Sequence, residues 1–451
     1  MKPPPSVSSL SCAPAAPEFA KRLTLFDLVL VAVGASIGSG IFRTPSQVAA
    51  ALPTTSGLLF AWALGGALTL AGALTFAELG AAMPRAGGMY VWLSEAYGGL
   101  VGFLHGWAYF LVVATGAIAA LAIVFAEYVG FFVPLSPAGT SALAIGALVA
   151  LAAVNVAGVR IAAAVGDALT IAKLVALAAI VGMGLLFGGK LQASGGAAGG
   201  GASTAAGLGA GMIGVLWSYG GWQHASFAAG EATRPERDVP RAMIVGTAVV
   251  TLAYVLANIA FVRLLPVGEI VRSPHVASDA ARVAIGGAGG GVVAAMIALS
   301  ALGTAGIFTM TTPRVYWAMA ERGLFFRRVA ELHPRWRTPV RAILLQTGWA
   351  IALVLAWGTF EGLVSYVLFV DWIFFGLAGA AVFVLRRRHG APPTYRVPGY
   401  PVVPAVFIGL SGWFVASTLW GQPRQAVAGA ALLALGVPAY LVWKRRARIS
   451  P

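Results

Sequence analysis

The sequence has few charged residues and almost no cysteine. Only 10% of its 451 residues are Asp, Glu, Lys or Arg, and 59% are hydrophobic, whereas a soluble domain carries about 25% charged residues. Cys12 is the single cysteine, which excludes an intramolecular disulfide, and we expect no disulfide-linked partner subunit. The composition therefore indicates an integral membrane protein.

Signatures of metal binding and nucleotide hydrolysis are also missing. The histidines are scattered without metal-ligand spacing, and no Gly-x-x-x-x-Gly-Lys-Ser/Thr loop is present. The alternating segments of about ten residues that would indicate a transmembrane β-barrel are absent as well. We therefore expect an all-α membrane protein that is not an enzyme and that holds no metal and no cofactor.

Long apolar segments follow one another along most of the chain, and about 20 apolar residues suffice to cross a bilayer. Residues 1–20 precede the first segment and are rich in Pro, Ser and Ala, so we expect a disordered tail there. The segments predict twelve transmembrane helices: Leu25–Ala50, Gly57–Ala81, Leu100–Phe132, Ser141–Ala157, Ala164–Phe187, Gly207–Gly230, Met243–Leu264, Val283–Ala320, Ile343–Trp357, Leu363–Leu385, Val402–Trp420 and Ala426–Trp443.

The net charge of +15 is placed asymmetrically between these segments. With the N-terminus inside the cell, most Lys and Arg residues fall on the cytoplasmic side, as the positive-inside rule requires. We therefore predict a multi-pass protein of the inner (plasma) membrane with both termini in the cytoplasm. The basic excess is expected to meet anionic lipid of the bilayer rather than nucleic acid.

Two of the twelve segments are interrupted by glycine. Gly38-Ser39-Gly40 lies within the first segment, and Gly220-Gly221 lies within the sixth. Gly34 and Gly38 also match the small-residue pattern that lets membrane helices pack closely. Irregular backbone at membrane depth survives only where it is buried in protein or lines a cavity. A matched pair of interrupted helices indicates a transporter site between inverted repeats.

The repeats suggested by these interruptions divide the chain into units. Residues 21–190 (helices 1–5) would form the first repeat and residues 207–390 (helices 6–10) the second, in opposite orientations. Residues 191–206 are rich in Gly and Ala and predict a flexible outer loop between the repeats. Residues 391–451 would add helices 11 and 12 and a basic cytoplasmic C-terminus.

Several motifs resemble those of the amino acid–polyamine–organocation (APC) transporters, and of bacterial L-type amino-acid transporters in particular. They are GASIGSGIF at 34–42, AELGAAMPRAGG at 77–88, TIAKLVAL at 170–177, WSYGGW at 217–222 and GEATRPERDVPRA at 230–242. The resemblance implies a LeuT-like fold with a 5+5 inverted repeat and broken helices 1 and 6. It also implies transport of amino acids or related amines.

The interrupted helices offer groups suited to both ends of a zwitterionic amino acid. Free N–H groups at a helix N-terminus suit a carboxylate, and free carbonyls at a helix C-terminus suit an ammonium group. Trp217 is either an ordinary packed tryptophan or, by resemblance, an aromatic gate over the substrate. Ser36 stands where L-type members usually have an aliphatic residue, which leaves the side-chain preference open. The substrate-binding residues implied by the resemblance are Ser36, Ile37, Ser39, Gly40, Trp217 and Gly220.

Lys173 is an unusual charge because a lysine near the middle of a membrane helix costs about 2.5–3.5 kcal/mol to insert. It is either a structural lysine that donates to carbonyls or, as the resemblance implies, an ammonium group that replaces the sodium ion of sodium-coupled relatives. Asp371 in the tenth helix could recognise the substrate, carry a proton or pair with a basic side chain. Arg314 is expected to snorkel to the cytoplasmic face. Four residues at cytoplasmic helix ends predict a gating network of salt bridges: Glu78, Arg85, Glu231 and Arg237.

Together these observations predict a sodium-independent secondary transporter, an exchanger of amino acids, that works by alternating access. The alternative is a proton-coupled carrier of cationic amino acids or polyamines, which depends on Asp371 facing the substrate. The predicted partners are a small amino acid substrate and the lipid bilayer.

Overall fold

The computed structural model describes residues 18–189, 204–357, 360–388, 393–421 and 423–449. Most of the expected tail (1–20) and of the expected outer loop (191–206) lies outside these residues. Apart from an isolated parallel bridge between Leu23 and Ala232, the regular structure in the described ranges is helical. The α-helices are α1 Leu25–Ser36, α2 Gly40–Ala51, α3 Thr55–Ala82, α4 Met89–Tyr97, α5 Gly99–Ala108, α6 Ala114–Val129, α7 Pro137–Val156, α8 Val159–Phe187, α9 Thr204–Ser218, α10 His224–Phe227, α11 Pro235–Leu264, α12 Val267–Arg272, α13 Val276–Ile285, α14 Ala288–Thr311, α15 Pro313–Glu321, α16 Val340–Trp357, α17 Phe360–Arg388, α18 Val402–Gly421 and α19 Pro423–Ile449.

Nine spans in the described ranges are long and apolar enough to cross a membrane, and the bent pair α1–α2 would make ten. Helices α5 and α6 form one such span through a π-helical turn at Tyr109–Val113. Two further predicted spans correspond to the shorter apolar helices Gly207–Ser218 and Val340–Ala356. The protein is therefore an all-helical multi-pass membrane protein, and the count of twelve spans stays a prediction.

Several helix boundaries differ from those that hydropathy predicts. Helix α11 begins at Pro235 rather than Met243, because its first two turns are polar and so carry no hydropathy signal. Proline is well tolerated at the first helical position, where its missing N–H has no intrahelical partner to lose. The predicted segment Val283–Ala320 begins within α13, which ends at Ile285 before Gly286 adopts a φ of +74°.

Helix α11 packs lengthwise against α3, α1 and α8, and α14 packs against α6 and α8. Small residues allow these helices to approach closely. A Cβ atom added at Gly184 would lie 2.5 Å from Cα of Ala260, and one added at Gly246 would lie 2.6 Å from Cβ of Ala32. This is the close packing expected of membrane helices, and it leaves α1 enclosed by its neighbours.

Candidate functional site

The first predicted helix is interrupted where the sequence placed Gly38-Ser39-Gly40. Helix α1 ends at Ser36, α2 begins at Gly40, and the two axes differ in direction by 45°. The N–H of Gly38 donates to the carbonyl of Ser36 over 2.9 Å, which closes the turn. Glycine and serine are weak helix formers, so local propensity accounts for the position of the break.

The sixth predicted helix, Gly207–Gly230, is also interrupted. Helix α9 ends at Ser218, and the short helix α10 begins only at His224. Between them Gly221 has a φ of +119°, a conformation that favours glycine. A Cβ atom at Gly221 would also lie 2.5 Å from the carbonyl carbon of Ala35 in α1. Glycine is therefore needed here for both its backbone conformation and its size.

The two interruptions contact each other. A Cβ atom added at Gly40 would lie 3.1 Å from Cα of Ser218. The hydroxyl of Tyr254 in α11 lies 2.9 Å from the carbonyl oxygen of Ser36 and 3.0 Å from that of Ser218. It therefore donates one bifurcated hydrogen bond to the two carbonyls. Tyr254 thus joins the C-terminal ends of α1 and α9 through their carbonyl groups.

A cavity of about 90 Å³ lies beside these interruptions. On this measure about 10–15 Å³ holds one water molecule, so the space suits a small organic molecule. Five of the six predicted substrate-binding residues contribute to its lining, and Ile37 is instead fully buried behind it. The lining also includes Asp371, Trp372 and Phe375 of α17. The five predicted residues are Ser36, Ser39, Gly40, Trp217 and Gly220.

Lys173 of α8 is buried against the break in α1. Its ammonium group donates to the carbonyls of Gly34 and Ile37 over 2.8 and 2.9 Å, and to the hydroxyl of Thr304 over 2.7 Å. The three donors of the ammonium group are therefore all used. The hydroxyl of Ser300 in α14 donates to the carbonyl of Ile37 over 3.0 Å. The Lys173 side chain thus connects α8, α1 and α14.

Asp371 of α17 lies at the wall of the same cavity. Its Oδ1 atom is buried and has no hydrogen-bond partner among the described residues. Phe308 and Thr304 of α14 and Tyr109 of the π-helical turn line the space as well. Single π-helical turns occur frequently at functional sites. The cavity therefore joins backbone groups from two interrupted helices to one acidic side chain.

Comparison with known proteins identifies the family. The family model described as "Amino acid permease" matches residues 23–442. The chain belongs to the amino acid permease family. The serine/threonine exchanger SteT of Bacillus subtilis is 34% identical to it over 426 residues, 94% of this chain and 96% of SteT. Human b(0,+)-type amino acid transporter 1 is 29% identical over 410 residues, 89% of this chain and 83% of that protein. Mouse large neutral amino acids transporter small subunit 2 is 30% identical over 438 residues, 94% of this chain and 81% of that protein.

The carboxylates of the predicted gating network pair with arginines other than those the sequence suggested. Glu231 of the permease forms a two-bond ion pair with Arg314, with N–O distances of 2.7 and 2.9 Å, and both side chains are 1% exposed. The expectation that Arg314 snorkels to the membrane surface is therefore wrong. Arg85 and Arg237 are exposed, and the described part of the permease shows no ion pair for either.

Glu78 of the permease also has a two-bond ion pair. Arg386 of α17 donates to both of its carboxylate oxygens over 2.6 Å, and the N–H of Val397 donates to Oε2 over 2.7 Å. The Arg386 guanidinium lies 3.8 Å from the centre of the Tyr400 ring. This cluster ties α3 to α17 and to the segment that precedes α18.

Sequence reasoning missed the polar side chains that surround the site. Four of them are hydroxyl side chains within apolar helices, where a single hydroxyl does not form a sequence motif: Tyr109, Tyr254, Ser300 and Thr304. His224 is fully buried between Thr311 and Tyr109, and the sequence marked it only as a histidine without metal-ligand spacing. A search for polar residues within the apolar segments would have found these candidates, but not their contacts.

Proposed function

We propose that this permease is a sodium-independent exchanger of amino acids that works by alternating access. Twelve transmembrane helices would form a LeuT-like fold, with residues 21–190 and 207–390 as inverted repeats and both termini in the cytoplasm of an inner (plasma) membrane. The observation that carries the proposal is the contact between two interrupted helices beside one cavity. The similarity to SteT, a serine/threonine exchanger, supports the same proposal.

The N-terminus of α2 would bind the substrate carboxylate. The first N–H groups of a helix have no intrahelical acceptor, and the Ser39 side chain makes no capping hydrogen bond. The positive end of the helix dipole points to the same place. Ser39 and Gly40, which both line the cavity, are therefore the proposed carboxylate ligands.

The substrate ammonium group would bind at the break after α9. The Ser36 carbonyl already accepts from Gly38 and Tyr254, which uses its two lone pairs. The Trp217 carbonyl accepts from the N–H of Gly220 over 3.1 Å and keeps one lone pair. We therefore assign the ammonium group to Trp217 and Gly220 before Ser36, with the Trp217 ring as the proposed gate.

Sodium independence follows from the position of Lys173. The carbonyls of Gly34 and Ile37 and the hydroxyl of Thr304 are oxygen ligands of the kind that hold a hard cation. The Lys173 ammonium contacts all three of them, so a sodium ion would have to displace it. We propose that this ammonium group provides permanently the positive charge that an ion would otherwise supply.

Closure at one end of the molecule would depend on the pair Glu231–Arg314. The backbone N–H groups of Arg22 and Leu23 donate to the Glu231 carbonyl over 2.8 and 2.9 Å. Phe19 packs edge-on against Trp317 of α15, with 4.6 Å between ring centroids. This end is the cytoplasmic one in the proposed orientation, so the segment before α1 would seal the cytoplasmic side.

Exchange is tested with purified permease in liposomes preloaded with unlabelled amino acids, one kind per batch. We expect uptake of the radiolabelled amino acid to require internal substrate and to stay unchanged when choline replaces external sodium. A strong decrease in choline would refute sodium independence. Uptake into empty liposomes driven by an inward proton gradient would favour the alternative, a proton-coupled carrier of cationic amino acids or polyamines, to which the position of Asp371 at the cavity lends support.

A further inference from the structure

The cavity contains an acidic group that the described protein does not neutralise. Among the residues that line it, Asp371 is the one with a carboxyl side chain. Its Oδ1 atom is buried without a hydrogen-bond partner in the described ranges. A buried carboxylate without a partner is strongly unfavourable. The site is therefore electrostatically incomplete until a cation or a proton reaches Asp371.

Two buried cationic side chains of the described protein are used elsewhere. The ammonium group of Lys173 donates its three hydrogen bonds to Gly34, Ile37 and Thr304. Arg314 is held by both oxygens of Glu231. Each of these cations would leave its own acceptors unsatisfied if it moved to Asp371. A counter-charge for an ionised Asp371 would therefore come from outside this part of the chain.

The hydroxyl of Tyr109 is oriented so that it can accept a further hydrogen bond. The Thr311 hydroxyl donates to the carbonyl of Ile307 over 2.8 Å, so it accepts from Nδ1 of His224, which lies 2.7 Å away. Nε2 of His224 is then an acceptor, and the Tyr109 hydroxyl, 3.4 Å away, donates to it. Because this hydroxyl donates to His224, the lone pairs of the Tyr109 oxygen remain available as acceptors.

The side chains of Asp371 and Tyr109 thus offer acceptors at the wall of the cavity, whereas the N-terminus of α2 offers donors. A neutral aliphatic substrate would leave the carboxylate unpaired. A guanidinium or ammonium side chain supplies several donors and a positive charge.

We infer that the permease prefers amino acids with a cationic side chain, and that Asp371 and Tyr109 form the subsite that holds this cation. The inference rests on the proposed exchange of amino acids at the same cavity and names its substrate class. Asp371 would contact the cation directly. His224 would act as a positioning residue that fixes the Tyr109 hydroxyl through its Nε2 atom.

Arginine and citrulline provide the matched test, because citrulline has nearly the same shape but a neutral side chain. Liposomes containing the permease are preloaded with unlabelled arginine, citrulline or leucine. Each of the three amino acids is then offered outside, once in radiolabelled form to measure uptake and once unlabelled as a competitor. We expect arginine to compete at a roughly 10- to 100-fold lower concentration than citrulline, which corresponds to one charged hydrogen-bonding partner. In the D371N variant arginine and citrulline should compete at similar concentrations, and Tyr109→Phe should reduce the preference for arginine.

The control variant is Asp279→Asn, which removes an acid that pairs with Arg282 and does not line the cavity, and it should keep the arginine preference. The preference of the wild-type permease for arginine over citrulline is measured without any variant, so it tests the inference even if D371N does not fold. Exchange of citrulline or leucine as good as that of arginine would refute the inference and leave the proposed exchange intact. An unchanged ratio in folded D371N would also refute it. No exchange of any amino acid would refute both proposals.

Discussion

Replacing Lys173 with methionine tests whether the ammonium group is needed for transport or for folding. The change keeps an unbranched side chain and removes the donors to Gly34, Ile37 and Thr304. Hydrogen bonds to a charged group contribute about 1.5–3 kcal/mol each. The buried lysine costs about 2.5–3.5 kcal/mol on insertion, and methionine avoids that cost.

The remaining hydroxyls limit the loss of stability. After the change, Thr304 can still donate to the Gly34 carbonyl over 2.9 Å, and Ser300 can still donate to the Ile37 carbonyl over 3.0 Å. Both carbonyls keep a donor, so the hydrogen-bond energy lost should exceed the insertion cost avoided by only a small amount. We therefore expect the free energy of unfolding to fall by roughly 1–2 kcal/mol. We therefore expect Lys173→Met to fold but to exchange amino acids at least tenfold more slowly, because α8 is no longer connected to the break in α1.

The assays are thermal unfolding in detergent and exchange in liposomes, each in sodium chloride and in choline chloride. Lys444→Met, which removes an exposed lysine of α19, is the matched control and should behave as the wild type. A Lys173→Ala variant leaves more space beside the oxygen ligands, and its unfolding temperature should become higher in sodium than in choline. Wild-type exchange rates in Lys173→Met would refute the assigned role.

Three further changes test other parts of the structure. Arg314→Met should destabilise the permease by about 3–5 kcal/mol, measured by thermal unfolding, because Glu231 would stay buried without a partner; Glu231→Gln combined with it should recover part of the loss. Gly221→Ala should abolish exchange, since its Cβ atom would lie 2.5 Å from the Ala35 carbonyl carbon; unchanged exchange would contradict that steric argument. Tyr254→Phe should slow exchange roughly tenfold in the liposome assay with folding retained, because one shared hydrogen bond of about 0.5–1.5 kcal/mol is lost.

Features that depend on local sequence were predictable. Hydropathy marked apolar segments that the structure contains as helices, and the low helix propensity of Gly38-Ser39-Gly40 placed the first interruption. The second interruption was found in the same way, at Gly220-Gly221. Each of these signals lies within a few residues of the feature that it predicts, so one sequence suffices to detect it.

Features that depend on distant contacts were not predictable. Glu78 pairs with Arg386, which is 308 positions away, and nothing in the local pattern distinguishes Arg386 from its neighbours Arg387 and Arg388. Arg314 was expected at the surface because helix ends near the membrane boundary often carry snorkelling arginines. Its burial depends on Glu231, which the turn after α10 brings beside it. One sequence reveals charged residues at membrane depth but not their partners.

The contacts also divide the site into a part that should move together and a part that should separate. Gly221 lies against the Ala35 backbone, and Tyr254 connects the carbonyls of Ser36 and Ser218. These are contacts between backbones or to backbones, and they leave no space for the two interrupted helices to slide past each other. The pair Glu231–Arg314 instead joins the segment after α10 to α15 through side chains alone, which can separate without altering either helix. We therefore expect alternating access to keep the first set of contacts and to break the second, so variants of Arg314 should change the balance between inward and outward states.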